Sequence, residues 1–289
     1  MLRRVTKRIT PYSLLTNLEL EWAFMNNRNP ILVYQMGKVG SSTVTKTLKQ
    51  SLDAPVYHVH FLTEDGLNMQ VKAFENYRQY TQKYSPVFVQ QAQVIKDKIE
   101  QKTDHKWKII TLVRDPIARD ISDIFQNLDR ILADHLNESG KIKDSNKIID
   151  LLQDKFANYD PDSDFACTWF DRELKARFNV DIYDYPFDQE QGFSIINHEQ
   201  ADVLVLRLED LNQRLNQACQ DFLGVDLTKK DIANKNISTD KKYFDDYKNI
   251  VKNIVIPRET CAKIYNSKYV RHFYPQSMID KFIAKWSKS

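Results

Sequence analysis

Cysteine and glycine are scarce in this chain, and so are long apolar runs. The three cysteines, Cys167, Cys219 and Cys261, stand far apart, are odd in number and have no neighbouring ligand cluster at metal spacing. Neither a disulfide framework nor a zinc site is expected, and no metal is assigned. Nine prolines in 289 residues and the absence of a long polar tract exclude a proline-rich or disordered segment. No apolar run approaches the roughly 18 residues that cross a bilayer. The opening MLRRVTKRITPYSLLTNLELEW is basic but has no uninterrupted apolar core, so a cytoplasmic protein without a leader is expected. A large excess of one charge is also missing. A net charge of +3 gives no basis for a nucleic-acid partner.

The distribution of that charge says more than its sum. Residues 1–30 carry +3, residues 31–227 carry −8 and residues 228–289 carry +8. The cationic tail is either a solvated helical surface or a clamp over an anionic ligand. The length suits one α/β core, since single cores stop growing near about 250–300 residues. The expectation is a single domain over 1–289, with 1–30 as an N-terminal extension and 228–289 as a helical, basic cap.

Four β-branched apolar runs read as buried strands: Ile31–Tyr34, Val56–Phe61, Lys108–Val113 and Val203–Leu208. Helical patterns lie between and after them at Ser42–Leu52, Asn68–Gln101, Pro116–His135, Lys147–Phe156, Phe165–Phe178 and Leu211–Leu223. Beyond Asp231 the pattern is mostly helical, at Tyr243–Ile254, Glu259–Tyr265 and Gln276–Trp286. This alternation predicts a three-layer α/β/α domain, P-loop-like, with a central parallel sheet and a helical C-terminal cap.

Two of the six glycines, Gly37 and Gly40, fall within four residues in ILVYQMGKVGSSTVTKTLKQ, between a strand and a helix. Glycines there let backbone N–H groups approach an anion, and the helix N-terminus adds donors and a positive dipole end. Lys38 supplies a point charge, and Ser41, Ser42 and Thr43 supply hydroxyls. Lysine follows the first glycine and not the last, unlike G-x-x-x-x-G-K-[ST], which weakens an ATP- or GTP-hydrolysing reading. A second anchor is KIITLVRDPIARDISDIFQNL. Pro116 suits a first helical position, Asp115 suits an N-cap, and Arg114 stands at a strand's carboxyl end, where open α/β sheets bind ligands. Ser122, about two turns into the helix, would face the same crevice, and Arg114 pairing with Asp115 or Asp120 is the plainer alternative.

Taken together, QMGKVGSST and Arg114-Asp115-Pro116-Ile117-Ala118-Arg119-Asp120-Ile121-Ser122 resemble sulfotransferases that use 3′-phosphoadenosine 5′-phosphosulfate (PAPS), the carbohydrate branch above all. The resemblance implies that Lys38, Val39, Gly40, Ser41, Ser42 and Thr43 hold the 5′-phosphosulfate, and that Arg114 and Ser122 hold the 3′-phosphate. It also implies PAPS as co-substrate without a metal, and an acceptor hydroxyl on a carbohydrate or glycoconjugate. LVLRLEDLN resembles a later strand of that family, with Arg207, Glu209 and Asp210 in structural roles. YDYPFDQEQGFSI and KYVRHFYPQSMIDKFIAKW resemble bacterial capsular-polysaccharide synthesis proteins. Two other readings stay open: a P-loop nucleotide kinase or hydrolase needing Mg²⁺, and a noncatalytic nucleotide-binding module in polysaccharide assembly.

Sulfuryl transfer needs charge neutralisation, assigned to Lys38, and a base for the acceptor hydroxyl. His58 and His60 share one face of a strand by period two, and His60 lies nearer its carboxyl end. Either histidine, or Glu64 or Asp65 just beyond, is the candidate base. Trp169, Phe170, Asp171, Arg172 and Glu173 either line a sugar site or belong to the core, and the aromatics of Tyr183–Phe193 carry the same two readings.

Overall fold

The computed structural model describes residues 11–78, 87–127, 133–138, 141–227 and 244–287. The four β-branched runs form buried strands of a five-stranded sheet, and a fifth, less buried strand lies on its edge. The strands are β1 (Ile31–Tyr34), β2 (Val56–Val59), β3 (Trp107–Val113), β4 (Phe193–Asn197) and β5 (Ala201–Arg207), in the order β2-β1-β3-β5-β4. β1, β2, β3 and β5 run parallel. β4 lies antiparallel on the edge beside β5, which corrects the wholly parallel sheet read from the sequence. Its residues fell within a run of aromatics and turn formers. Gly192, at φ 79°, turns the chain into β4, and Phe193 and Ile196 face the core.

The helices follow the expected order, with shifted ends. After β1 comes α2 (Ser41–Ser51), and after β2 come α3 (Glu64–Arg78) and α4 (Val87–Gln101) in place of one long helix. Residues 79–86 between them lie outside the described residues. α5 (Pro116–Gln126) leaves β3, followed by α6 (Ser145–Ala157) and α7 (Phe165–Trp169). α7 continues as a π-helical stretch, Phe170–Lys175, into α8 (Ala176–Phe178). α9 (Leu211–Leu223) follows β5, and the chain closes with α10 (Phe244–Asn253), α11 (Arg258–Tyr265), α12 (Lys268–Phe273) and α13 (Gln276–Trp286). The segment read as an extension contains α1 (Pro11–Met25), whose Leu20 and Ala23 are buried as it packs along α4.

This topology fixes where loops meet. From β1 the chain steps to β2 on one side, while β3 and β5 lie on the other. The order therefore reverses between β1 and β3, and the loops at their carboxyl ends open onto one crevice.

The C-terminal helices pack onto the turn at the end of β3 through neutral aromatic side chains. Asp115 caps α5 by accepting from Ile117 N (3.1 Å), and its carboxylate also accepts from Tyr265 Oη (2.8 Å) and Trp286 Nε1 (2.8 Å). Arg114 N donates to Tyr269 Oη (3.0 Å), whose hydroxyl donates back to Arg114 O (3.0 Å). Glu209 accepts from Asp115 N (2.9 Å) and from Tyr274 Oη (3.1 Å). Arg207 pairs with Asp210 (2.5 Å) and donates to Phe273 O (3.0 Å). All three residues of the R-x-E-D-L strand end thus hold architecture together. Because the Tyr265 bond ends on a buried carboxylate, Tyr265→Phe should cost about 1.5–3 kcal/mol of stability. Denaturant unfolding checks this as a shift in midpoint at constant slope, and an unchanged midpoint would contradict it.

Candidate anion-binding site

The loop after β1 is built around two left-handed residues. Gly40, the N-cap of α2, has φ 88°, and a Cβ there would sit 2.5 Å from Leu208 Cδ1, so both backbone and packing call for glycine. The second left-handed residue is Lys38, at φ 74°, and not Gly37. Gly37 has ordinary φ, with nothing within 4 Å of where its Cβ would be, so it leaves open space. Having no side chain, Gly40 cannot cap α2. Thr43 N is satisfied by Gly40 O (3.1 Å), while the Ser41 and Ser42 amides have no intrahelical acceptor, as at any helix start. Ser41 is buried, and Ser42 and Thr43 are half-buried. Val39 points into the core, so only its backbone faces the loop.

Two arginines grip this loop, Arg114 from the β3–α5 turn and Arg119 from the start of α5. Arg114 Nη1 donates to Lys38 O (2.8 Å), and Arg119 Nε donates to Gly37 O (3.2 Å). Both motifs read from the sequence therefore meet in the crevice at the switch point. Asp115 and Asp120 are occupied elsewhere: Asp120 accepts from Arg119 Nη1 (2.9 Å) and Lys155 Nζ (2.6 Å). Arg119 is buried, which works against its charge, yet Asp123 and Asp120 raise its pKa and keep it a cation. Ser122 lies three residues beyond Arg119, on the same side of α5.

The histidines stand on one face at the end of β2, their rings edge to face at 4.6 Å. Gln35, buried, separates their chemistry. Its carbonyl accepts from His60 Nδ1 (2.8 Å), which fixes the proton there and leaves Nε2 as the lone-pair nitrogen. Its side-chain amide nitrogen lies 3.2 Å from His58 Nε2 and donates to it, so the basic nitrogen of His58 is occupied. Burial lowers the His60 pKa, opposed by the Gln35 bond and reinforced by the charges of Lys38 and Arg119. His58 is pushed down to about 3, by burial first and then by His60 and Lys49.

Other candidates fall outside the crevice chemistry. Glu64 and Asp65 are exposed at the start of α3, Glu64 paired with Lys96 (3.4 Å). Trp169 and Phe170 are core residues, and Trp169 Nε1 donates to His60 O (3.0 Å). Glu173 is buried by the π-helical stretch and accepts from Tyr34 Oη, Leu62 N, Thr63 N and Thr63 Oγ1. This corrects the sugar-site reading of the cluster: its ring faces and its carboxylate are already in use, and Asp171 and Arg172 point to solvent. Of the basic tail, 228–243 lies outside the described residues. Lys285 lies over the Trp286 ring (4.1 Å), near enough to Arg114 for the two charges to repel.

Residues 140–275 match the family model NKWYS, described as "Putative capsular polysaccharide synthesis protein". The match supports a capsular-polysaccharide-related family. It takes in all of YDYPFDQEQGFSI and the first part of the C-terminal motif, and begins after the β1–α2 and β3–α5 turns. No curated protein and no solved structure matches the chain.

Two measurements test this geometry. In urea unfolding, Gly37→Ala should leave stability within about 0.5 kcal/mol, while Gly40→Ala should cost about 1–2 kcal/mol for the left-handed backbone alone. A Gly37→Ala loss as large as that of Gly40→Ala would contradict the assignment. His58 takes up its proton at about pH 3 when folded and near its ordinary 6.5 when unfolded. Its stabilisation is therefore whole above pH 6.5 and lost as pH falls toward 3, by at most about 1.4 kcal/mol per pH unit. His58→Asn should flatten that acid slope, and an unaltered slope would contradict it.

Proposed function

We propose that the protein is a sulfotransferase that moves the sulfuryl group of PAPS to a hydroxyl of a carbohydrate or glycoconjugate, in capsular-polysaccharide metabolism. The observation that carries this reading is the meeting of the β1–α2 and β3–α5 turns, with their lysine and arginines, at one crevice beside a histidine whose pKa is lowered. Lys38, the Ser41 and Ser42 amides, and Arg114 suit the two phosphorylated ends of such a donor. The family match supports the polysaccharide setting.

His60 Nε2 takes the proton of the acceptor hydroxyl as its oxygen bonds to sulfur. The bond between sulfur and the bridging oxygen breaks, and its electron pair stays on the 5′-phosphate of adenosine 3′,5′-bisphosphate. Lys38 and the α2 amides neutralise the charge that builds there. Gln35 acts as a positioning residue, since its carbonyl holds the His60 ring in the tautomer a base requires.

Thermal unfolding with adenosine 3′,5′-bisphosphate, ATP and Mg·ATP tests the donor class. The bisphosphate should raise the midpoint most. A larger shift with Mg·ATP would mean a kinase or hydrolase, and bisphosphate binding without transfer from labelled PAPS to any saccharide would mean a noncatalytic module. Lys38→Ala should lower turnover about 10²–10³-fold, and His60→Ala about 10²–10⁴-fold. Because the His60 pKa lies below its ordinary 6.5, wild-type turnover should fall only on acidification below that value. A wild-type acid limb above pH 6.5, or near-normal transfer by His60→Ala, would remove His60 from the mechanism.

A further inference from the structure

α1 is apolar on both sides, yet the fold covers only one of them. Its inner residues Thr16, Leu20 and Ala23 are buried against the body of the protein. Its outer residues Tyr12, Leu15, Leu18, Trp22 and Met25 recur every three or four positions and form one stripe. Leu15 is 61% exposed, Leu18 54% and Met25 76%. A helix that is hydrophobic all round belongs in a core or against an apolar partner, and half of this one has neither.

Charge says what the partner is. The helix has two acidic residues, both partly exposed beside the stripe and both engaged by the body of the protein: Glu19, next to Leu15 and Trp22 on the helix surface, accepts from Tyr57 Oη (2.7 Å), and Glu21 pairs with Lys98. Neither adds an unpaired negative charge to the stripe. Arg28 covers the Trp22 ring (4.8 Å) and pairs with Asp53, so it adds no net charge. Directly before the helix, residues 1–10 contain Arg3, Arg4, Lys7 and Arg8 and no acid. An apolar stripe with an aromatic residue near each end, joined to a cluster of cations, matches the layering of an anionic bilayer surface, with acyl chains under negative headgroups.

We infer that α1 docks the protein on anionic membrane surfaces, its outer stripe entering the interface and the preceding arginines and lysine meeting the headgroups. The helix has 15 residues and lies along the surface. No helix among the described residues is long and apolar enough to cross a membrane. The inference is independent of the activity proposed above.

Tryptophan emission gives a direct readout, because Trp107, Trp169 and Trp286 are buried and Trp22 is 45% exposed. The full chain is mixed with phosphatidylcholine vesicles, with or without phosphatidylglycerol, and both emission and co-sedimentation are followed. Anionic vesicles should bind the chain and shift its emission to the blue, added salt should release it, and Trp22→Phe should bind but lose the shift. Leu15→Glu/Leu18→Glu alters exposed positions only, and should weaken co-sedimentation at least about tenfold while the circular dichroism is unchanged. Failure of the unmodified chain to bind anionic vesicles at low salt would overturn the inference, as would equal binding to neutral vesicles or by the double variant. Self-association that the double variant abolishes, without vesicle binding, would assign the stripe to a second copy of the chain.

Discussion

Two guanidinium groups hold two successive carbonyls of one loop, and the crevice takes its shape from that grip. Arg114, in the turn after β3, and Arg119, in the first helical turn of α5, reach Lys38 O and Gly37 O across the point where the strand order reverses. Lys38 is held left-handed, at a cost of order 1–3 kcal/mol. Hydrogen bonds from charged donors contribute about 1.5–3 kcal/mol each, so two of them suffice to keep the loop in that state. The same two bonds carry positive charge to the loop's edge, where α2 begins without a side-chain cap.

The grip is only as firm as the turn that supplies it, and much of the rest of the chain braces that turn. Asp115 and the Arg114 peptide are held by Tyr265, Tyr269 and Trp286, from helices about 150 residues further on. Behind Arg119 stands the buried carboxylate of Asp120, with half-buried Asp123 and exposed Lys155 around the pair. Removing Asp120 would leave the buried Arg119 guanidinium with only Asp123 to compensate it, which costs more than the pair contributes. The family match runs mainly through this bracing part, not through the loops it braces.

Strand–loop–helix order, the meeting place of the β1–α2 and β3–α5 turns and the shared face of His58 and His60 were legible because each rests on a local signal: β-branched runs, glycine spacing, proline after aspartate, period two. Contacts between distant residues were not. β4 sits in a stretch where aromatics and turn formers mask a five-residue strand, and its antiparallel pairing depends on β5. Lysine is an unexpected choice for φ 74°, and the carbonyl contact from Arg114 helps to keep it there. Gln35 carries no local signal, yet its two ends set the different chemistries of the two histidines. Arg119 was visible in the motif, but its reach to Gly37 O depends on how β1 and β3 lie side by side.

The proposed anion site joins the gripped loop to the turn that grips it, and a crystal structure with adenosine 3′,5′-bisphosphate bound shows whether it does. One phosphate is predicted at the N-terminus of α2, against Lys38 and the amides of Ser41 and Ser42, with the other on the Arg114 and Ser122 side of the crevice. A bisphosphate bound away from the carboxyl ends of β1 and β3, or none at saturating concentration, would contradict the account.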